Sequence, residues 1–269
     1  MSGDLTGGLT GGLTGGLAGG LTGGLAVVTG ASAGLGRALA VELAARGMRV
    51  AGLARRADAL EETAALAGAG FVAVPVDVAD AVAVRAAFAG LVTAQGPVRV
   101  LVNNAAVYPR RDILDETTES FAQTLAINLG GTLACTLAAL KGMVETGQGR
   151  ILNVATFADV APLPASSAYA VSKGAARVLT RALVADLGDR FPGIVISDWM
   201  PGMLATGMGI ADGLDPAVAA RWGATLALWH DATLNGTVWE MDQEILPPRG
   251  IKGRIADRLL GRRRKARRL

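Results

Sequence analysis

From residue 25 onward the chain alternates short apolar runs with longer Ala- and Leu-rich segments. The runs at 25–29, 49–53, 71–75, 98–102, 150–154, 194–198 and 236–240 read as strands. The segments near 34–47, 57–67, 80–94, 118–145, 166–188 and 216–229 read as helices. A strand that is apolar at nearly every position is buried on both faces. Alternation of such strands with helices therefore predicts a parallel sheet covered by helices on both sides. The expected fold is α/β, a doubly wound parallel sheet in a single domain, with the ligand at the carboxyl ends of the strands.

The two ends of the chain depart from this pattern. Residues 5–24 repeat Leu-(Thr/Ala)-Gly-Gly, and half of that stretch is glycine. Its ordering entropy is high and one leucine per repeat buries little, so residues 1–24 are expected to be a flexible segment. A phosphate loop is the other reading of so many glycines, but no Lys-Ser/Thr pair and no helix follows. At the other end, residues 249–269 hold ten Lys/Arg against Asp257, a net of +9, which leaves −6 for the rest of a chain whose total is +3. The basic character belongs to this tail, and the expected organisation is 1–24 repeat, 25–248 globular domain and 249–269 basic tail.

Composition removes several chemistries. With 269 residues and 51% hydrophobic content the chain can bury a full α/β core. Cys135 is the sole cysteine, so no intramolecular disulfide forms, and its apolar surroundings suit a core or interface position. His230 is the sole histidine and has no metal-ligand pattern around it, so an ordinary helix-end histidine is expected and no metal site. No uninterrupted apolar run reaches the roughly 20 residues of a membrane span, and a cytoplasmic protein is expected.

The run Thr29-Gly30-Ala31-Ser32-Ala33-Gly34-Leu35-Gly36 sits between the first strand and the first helix. A glycine turn there lets backbone N–H groups and the positive end of a helix approach a pyrophosphate. Gly30, Gly34 and Gly36 would form the turn, with Leu35 inside it and Ser32 able to bond a phosphate. Tyr169 and Lys173 are four residues apart, hence on one face of a helix. An ammonium beside a phenol favours the phenolate and brings a weak acid toward neutrality.

Together with Asn103-Asn104-Ala105-Ala106, Asn128 and Pro201-Gly202-x3-Thr206, these motifs resemble the short-chain dehydrogenase/reductase family, in order from about Leu25 to about Met241. The resemblance implies a Rossmann-type sheet. It also implies that Tyr169 is the proton donor, that Lys173 lowers its pKa and binds the cofactor ribose, and that Asn128 supports the proton path. Thr206 would bond the nicotinamide amide. Asp77 and Val78 match the pair that contacts adenine, and Asn103 and Asn104 match residues lining the cofactor; turn formation by Asx side chains is their other reading. Two positions depart from the pattern: Ala106 replaces a glycine, and Thr156 stands where the family has its catalytic serine. Threonine keeps the hydroxyl that stabilises an oxyanion, while its methyl narrows the site.

At the end of the second strand Ala54 occupies the place of the aspartate found in NAD(H)-selecting relatives, and Arg55 and Arg56 follow. Guanidinium groups without a competing carboxylate suit a 2′-phosphate, so NADP(H) is expected in preference to NAD(H); two solvated arginines opening a helix are the alternative. Met203, Leu204, Met208 and Ile210 suggest an apolar lid, and Arg110 and Arg111 lie near the expected mouth. The substrate is expected to be a small carbonyl or alcohol compound. Resemblance implies a homodimer or homotetramer packed through the helices near 118–145 and 166–188. The basic tail suits an anionic membrane surface or RNA, with solvated disorder at its end as the alternative. The rival to an enzyme is a nucleotide-binding regulatory or scaffold protein in which Thr156 marks lost catalysis.

Overall fold

The structure, a computed structural model, describes Leu21, residues 23–248 and residues 265–269. Seven strands are parallel: β1 (Leu25–Thr29), β2 (Arg49–Ala54), β3 (Phe71–Pro75), β4 (Val98–Asn103), β5 (Gly149–Val154), β6 (Ile194–Met200) and β7 (Val238–Glu240). An eighth, β8 (Gln243–Ile245), turns back antiparallel to β7, and the sheet runs β3-β2-β1-β4-β5-β6-β7-β8. The order reverses direction between β1 and β4, which opens the crevice where doubly wound folds take their ligands.

The helices are α1 (Gly34–Ala45), α2 (Ala57–Ala67), α3 (Ala81–Gln95), α4 (Thr118–Leu125), α5 (Gly131–Thr146), α6 (Ser167–Leu187) and α7 (Pro216–Leu228). Alternate residues of the strands feed two cores. One face, with Val28, Val102, Leu152 and Trp199, packs under α1, α2 and α7; the other, with Val27, Leu101, Ile151 and Ile196, packs under α3, α5 and α6. Burial of both faces is the physical reason for the unbroken apolar strands.

Three local features differ from expectation. The helix expected over 118–145 is interrupted by a π-turn at Ala126–Gly130, which separates α4 from α5 and buries Asn128. Such a turn inserts an extra residue and re-aims the side chains on either side. β7 starts at Val238, because Gly236 adopts φ +73° in the preceding turn. By length and composition alone the continuous run Thr118–Thr146 would cross a bilayer; here it lies against α3, α6 and β4.

At the termini, Leu21 of the glycine repeat is buried in the first core, while residues 1–20 and 22 lie outside the described residues. Most of the basic tail, residues 249–264, also lies outside them. The last five residues do not run free into solvent. Glu244 N donates to Arg267 O at 3.0 Å and Leu269 N to Asp242 O at 2.9 Å, so this stretch caps the edge of β8. The Arg267 guanidinium meets both Glu244 carboxylate oxygens at 2.8 and 2.9 Å. It also lies 5.6 and 5.8 Å from the rings of Trp229 and Trp239. A forked, partly buried ion pair on two indoles offsets the entropy of ordering a chain end.

Candidate active site

A cavity of about 940 Å³ opens at the carboxyl ends of the strands. Its floor is the turn after β1. Gly30 and Gly34 have φ of +69° and +52°, the left-handed region where a side chain is strained. A Cβ at Gly36 would run into the Gly30 carbonyl, and one at Gly30 would lie 2.9 Å from Asn104 Nδ2. The turn is braced from behind by Arg37, whose guanidinium donates to Ser32 O at 2.7 Å, to Glu62 at 2.6 Å and to Thr63 Oγ1 at 3.1 Å. Gly30, Ser32, Gly34, Leu35 and Gly36 all line the cavity.

One end of the cavity is bordered by Ala54, Arg55, Arg56, Asp77 and Val78. Arg55 and Arg56 are exposed there. Asp77 accepts from Ala79 N at 3.0 Å, and Val78 rests on Gly131, where a Cβ would approach within 2.7 Å. The glycine following the π-turn thus leaves room for Val78. Asn104 spans the crevice, donating its side chain to Thr29 O at 2.9 Å, while Thr29 Oγ1 accepts from the N–H groups of Asn104 and Ala105 at 2.9 Å each.

Asn103 is a correction. Expected beside Asn104 on the cavity wall, it is 4% exposed in the core and donates to Thr136 Oγ1 at 3.0 Å and Asn153 Oδ1 at 2.8 Å. Successive strand residues point to opposite faces as β4 ends, so only one of two adjacent asparagines can turn toward the crevice.

At the other end Thr156, Tyr169 and Lys173 line the cavity together. Lys173 is 6% exposed and its ammonium donates to Val154 O at 2.8 Å. Burial pulls its pKa down to about 8, and the nearby Asp198 carboxylate acts to raise it. The Tyr169 phenol is moved the opposite way from the sequence expectation: burial raises its pKa, a hydrogen bond with Thr156 lowers it, and Tyr108 raises it. Thr156 also accepts from Ala158 N at 3.3 Å. Thr206 lines the cavity with its methyl 3.2 Å from where a Gly34 Cβ would lie.

Asn128 does not reach the cavity. Its amide clamps the main chain of Val107, accepting from N at 2.8 Å and donating to O at 3.0 Å, and donates to Ser172 Oγ at 2.9 Å. With both N–H donors and one acceptor position of its amide engaged, this side chain positions the loop after β4.

Tyr108, on that loop, was missed by sequence reasoning. Its ring stacks on Tyr169, with centroids 4.4 Å apart. Arg110 lies 5.4 Å from the Tyr108 ring and donates to Gly209 O at 3.1 Å, bridging to the segment after β6 that carries Met203, Met208 and Ile210. The available signal was that Tyr108 and Tyr169 are the chain's only 2 tyrosines. Arg111 instead pairs with Glu116 at 2.7 Å. His230 meets Gly193 O at 2.8 Å, far along the fold from the cavity lining. Cys135 is fully buried and its thiol is pushed up to about 12. Among the described residues no group of three or more His, Cys, Asp or Glu is placed to hold a metal ion.

The sequence profile of a family described as short chain dehydrogenase matches residues 24–215. The chain is 38% identical to 2-(R)-hydroxypropyl-CoM dehydrogenase of Xanthobacter autotrophicus over 190 residues, 68% of this chain and 75% of that protein. It is 35% identical to galactitol 2-dehydrogenase (L-tagatose-forming) of Cereibacter sphaeroides over 201 residues, 73% and 78% of the two chains. A third relative, also 35% identical over 179 residues (65% and 77%), is named inactive 2-(S)-hydroxypropyl-CoM dehydrogenase 2 of Xanthobacter autotrophicus.

Proposed function

This chain belongs to the short-chain dehydrogenase family, an oxidoreductase acting on alcohols or carbonyls, and on that premise we propose that it uses NADP(H) to interconvert a carbonyl and a secondary alcohol. The observation that supports this reading best is the assembly, along one cavity, of the glycine turn after β1 and the Thr156, Tyr169 and Lys173 side chains.

The residues present fit a nicotinamide dinucleotide. The cradle at Gly30 and Gly36, which a Cβ would fill, suits a pyrophosphate at the N-terminus of α1, with Ser32 and Leu35 beside it. Arg55 and Arg56 would take the 2′-phosphate of NADP(H), and Asp77 and Val78 would border the adenine. Asn104, Lys173 and Thr206 would hold the nicotinamide half. When bound, the nicotinamide exchanges a hydride with the substrate carbon.

The chain's own residues do the rest. In reduction, the Thr156 hydroxyl donates to the carbonyl oxygen as negative charge develops there. The Tyr169 hydroxyl gives that oxygen its proton, and Lys173 supplies the positive charge that helps the phenolate left behind. Asn128 contributes by fixing Val107, and with it the loop that carries Tyr108. The alternative of a catalytically weakened nucleotide-binding protein rested on Thr156. That residue keeps its hydroxyl on the cavity that Tyr169 and Lys173 also line, which favours the enzyme.

A homo-oligomer follows from the same reading. Leu137 on α5 is 53% exposed and Val171 and Val178 on α6 are 51% and 55% exposed, an apolar surface suited to a second copy. The functional test is NADPH oxidation against ketones, aldehydes, quinones and acyl thioesters. Turnover of none of them, with NADPH bound, would favour the binding protein.

A further inference from the structure

The polar side of the sheet continues beyond the catalytic residues. β4, β5 and β6 place Asn103, Asn153 and Asp198 side by side in register. All three lie on the face whose preceding residues, Leu101, Ile151 and Ile196, are core. An apolar layer therefore gives way to a buried polar one just below the cavity. Asn153 Nδ2 donates to Thr180 Oγ1 at 2.9 Å, and Thr180 Oγ1 donates to Asp198 Oδ1 at 2.6 Å. Asp198 is 3% exposed, a carboxylate inside a strand that is buried at every position.

Helix α6 lies over this layer. Lys173 and Thr180 are seven residues apart, two turns, so both project from the same face. Thr180 reaches Asp198, and Lys173 reaches the carbonyl of Val154, the residue after Asn153. The other two cations of α6 are Arg177 and Arg181, and the charge of each acts on the Asp198 carboxylate. Arg177 is already held by both oxygens of Asp159, at 2.7 and 3.0 Å, and Arg181 is exposed to water. Lys173 is buried and bonded to a neutral carbonyl, so it needs a counter-charge more than either arginine does.

We propose that Asp198 is a positioning residue of this site: its buried carboxylate, oriented by Thr180, is the counter-charge that keeps Lys173 an ammonium ion seated on the Val154 carbonyl. The inference rests on the reading that Lys173 serves catalysis. The electrostatics agree in sign, since Asp198 opposes the downward pull of burial on Lys173. Asp198 is itself raised to about 6 by burial, with Thr180, Arg177, Arg181 and Lys173 each lowering it. Between those two titrations the pair is ionised as the mechanism needs. Below about 6 the carboxylate takes up a proton, and above about 8 the ammonium loses one.

The test uses the full-length protein with Asp198→Asn and Asp198→Ser, both neutral. Competitive acylation of amines across pH, read by mass spectrometry, gives the half-titration point of Lys173 without requiring turnover, and exposed Lys141 is the internal control. In both variants the Lys173 midpoint is expected to fall by at least about one pH unit while Lys141 stays put. With a carbonyl substrate the enzyme accepts, the loss in kcat/KM should be within about threefold at pH 6 and at least about tenfold at pH 8.5. An unmoved Lys173 midpoint, or a rate loss equal at the two pH values, reduces Asp198 to a structural role and overturns the proposal. Lys173→Met with full turnover would instead remove the catalytic reading, a separate failure that the acylation midpoints do not depend on.

Discussion

Tyr108 lies face to face with Tyr169, their ring planes 20° apart and their centroids separated by 4.4 Å. The contact joins the loop after β4 to the N-terminal turn of α6, and Arg110 extends it to Gly209 in the segment after β6. A phenol that must deliver a proton along one direction gains from having one face of its ring occupied, because small misplacements are costly to rate. Stacking of this kind contributes about 0.5–1.5 kcal/mol beyond the area it buries.

Tyr108→Ala should therefore lower kcat about 10–50-fold with a smaller change in KM, whereas Tyr108→Phe, which keeps the stack, should stay within about threefold of the parent. Steady-state kinetics on one accepted substrate decides this. Equal losses in the two variants would mean that the Tyr108 hydroxyl matters and the stack does not.

Replacement of Thr156 separates enzyme from binding protein. Thr156→Ser should preserve or raise activity. Thr156→Val keeps the shape without the donor and should slow hydride transfer about 10²–10³-fold with NADPH affinity little changed. Tyr169→Phe should lose at least as much. In single-turnover measurements, parental rates for Thr156→Val would falsify the role given to that hydroxyl.

Cofactor preference is expected to favour NADPH over NADH by about 1–3 kcal/mol, through charge-assisted bonds from Arg55 and Arg56. Fluorescence titration of the parent and of an Arg55→Ala/Arg56→Ala double variant measures it. The double variant should bind the two cofactors about equally; a preference that survives in it places the phosphate elsewhere.

The buried charges of Lys173 and Asp198 have a stability consequence with a definite sign. Asp198 is raised from 3.8 to about 6, so the unfolded chain ionises first and stability falls as pH rises from about 4 to 6. Over that shift the loss is of order 2–3 kcal/mol at neutral pH. Lys173 is lowered from 10.5 to about 8, so the folded state sheds its proton first and stability recovers as pH climbs from about 8 to 10.5. Asp198→Asn should accordingly be at least as stable as the parent at pH 7, with the difference closing below about pH 4. Urea unfolding at the two pH values tests this, and a variant markedly less stable at pH 7 contradicts it.

Arg267 joins the chain end to Glu244, Trp229 and Trp239. Arg267→Ala should cost about 1–3 kcal/mol of unfolding free energy, since it removes a forked ion pair with Glu244 and the packing of the guanidinium on two indoles. Removal of residues 250–269 should do the same and also weaken any salt-sensitive binding to anionic vesicles or RNA. If the parent and the truncated protein bind neither at low salt, the tail has no such partner.

Much of the architecture was legible in the residue pattern. Val27-Val28, Val50-Ala51 and Ile194-Val195 are apolar on consecutive positions, and only burial on both faces of a strand rewards that. The glycine turn was legible for a related reason: φ values of +69° and +52° and the close approach of Gly36 to a carbonyl exclude other residues locally. Tyr169 and Lys173 could be placed on one cavity because helical periodicity fixes which side chains share a face.

What the sequence by itself determined about this protein are the features whose cause lies within a few residues: strand, turn, helix, and the residue types at their junctions. The tertiary structure alone decided which of Asn103 and Asn104 faces the crevice, that Asn128 clamps Val107, that Tyr108 covers Tyr169, and that Asp198 meets Thr180 on the helix that carries Lys173. It also decided that the last residues of a basic tail dock on β8. Each of these joins residues from about 20 to more than 60 positions apart in chain length, with the exception of the two adjacent asparagines, whose difference depends on the neighbouring strand and helix. Local periodicity specifies directions within one element, whereas the packing of elements against one another sets which distant side chains meet.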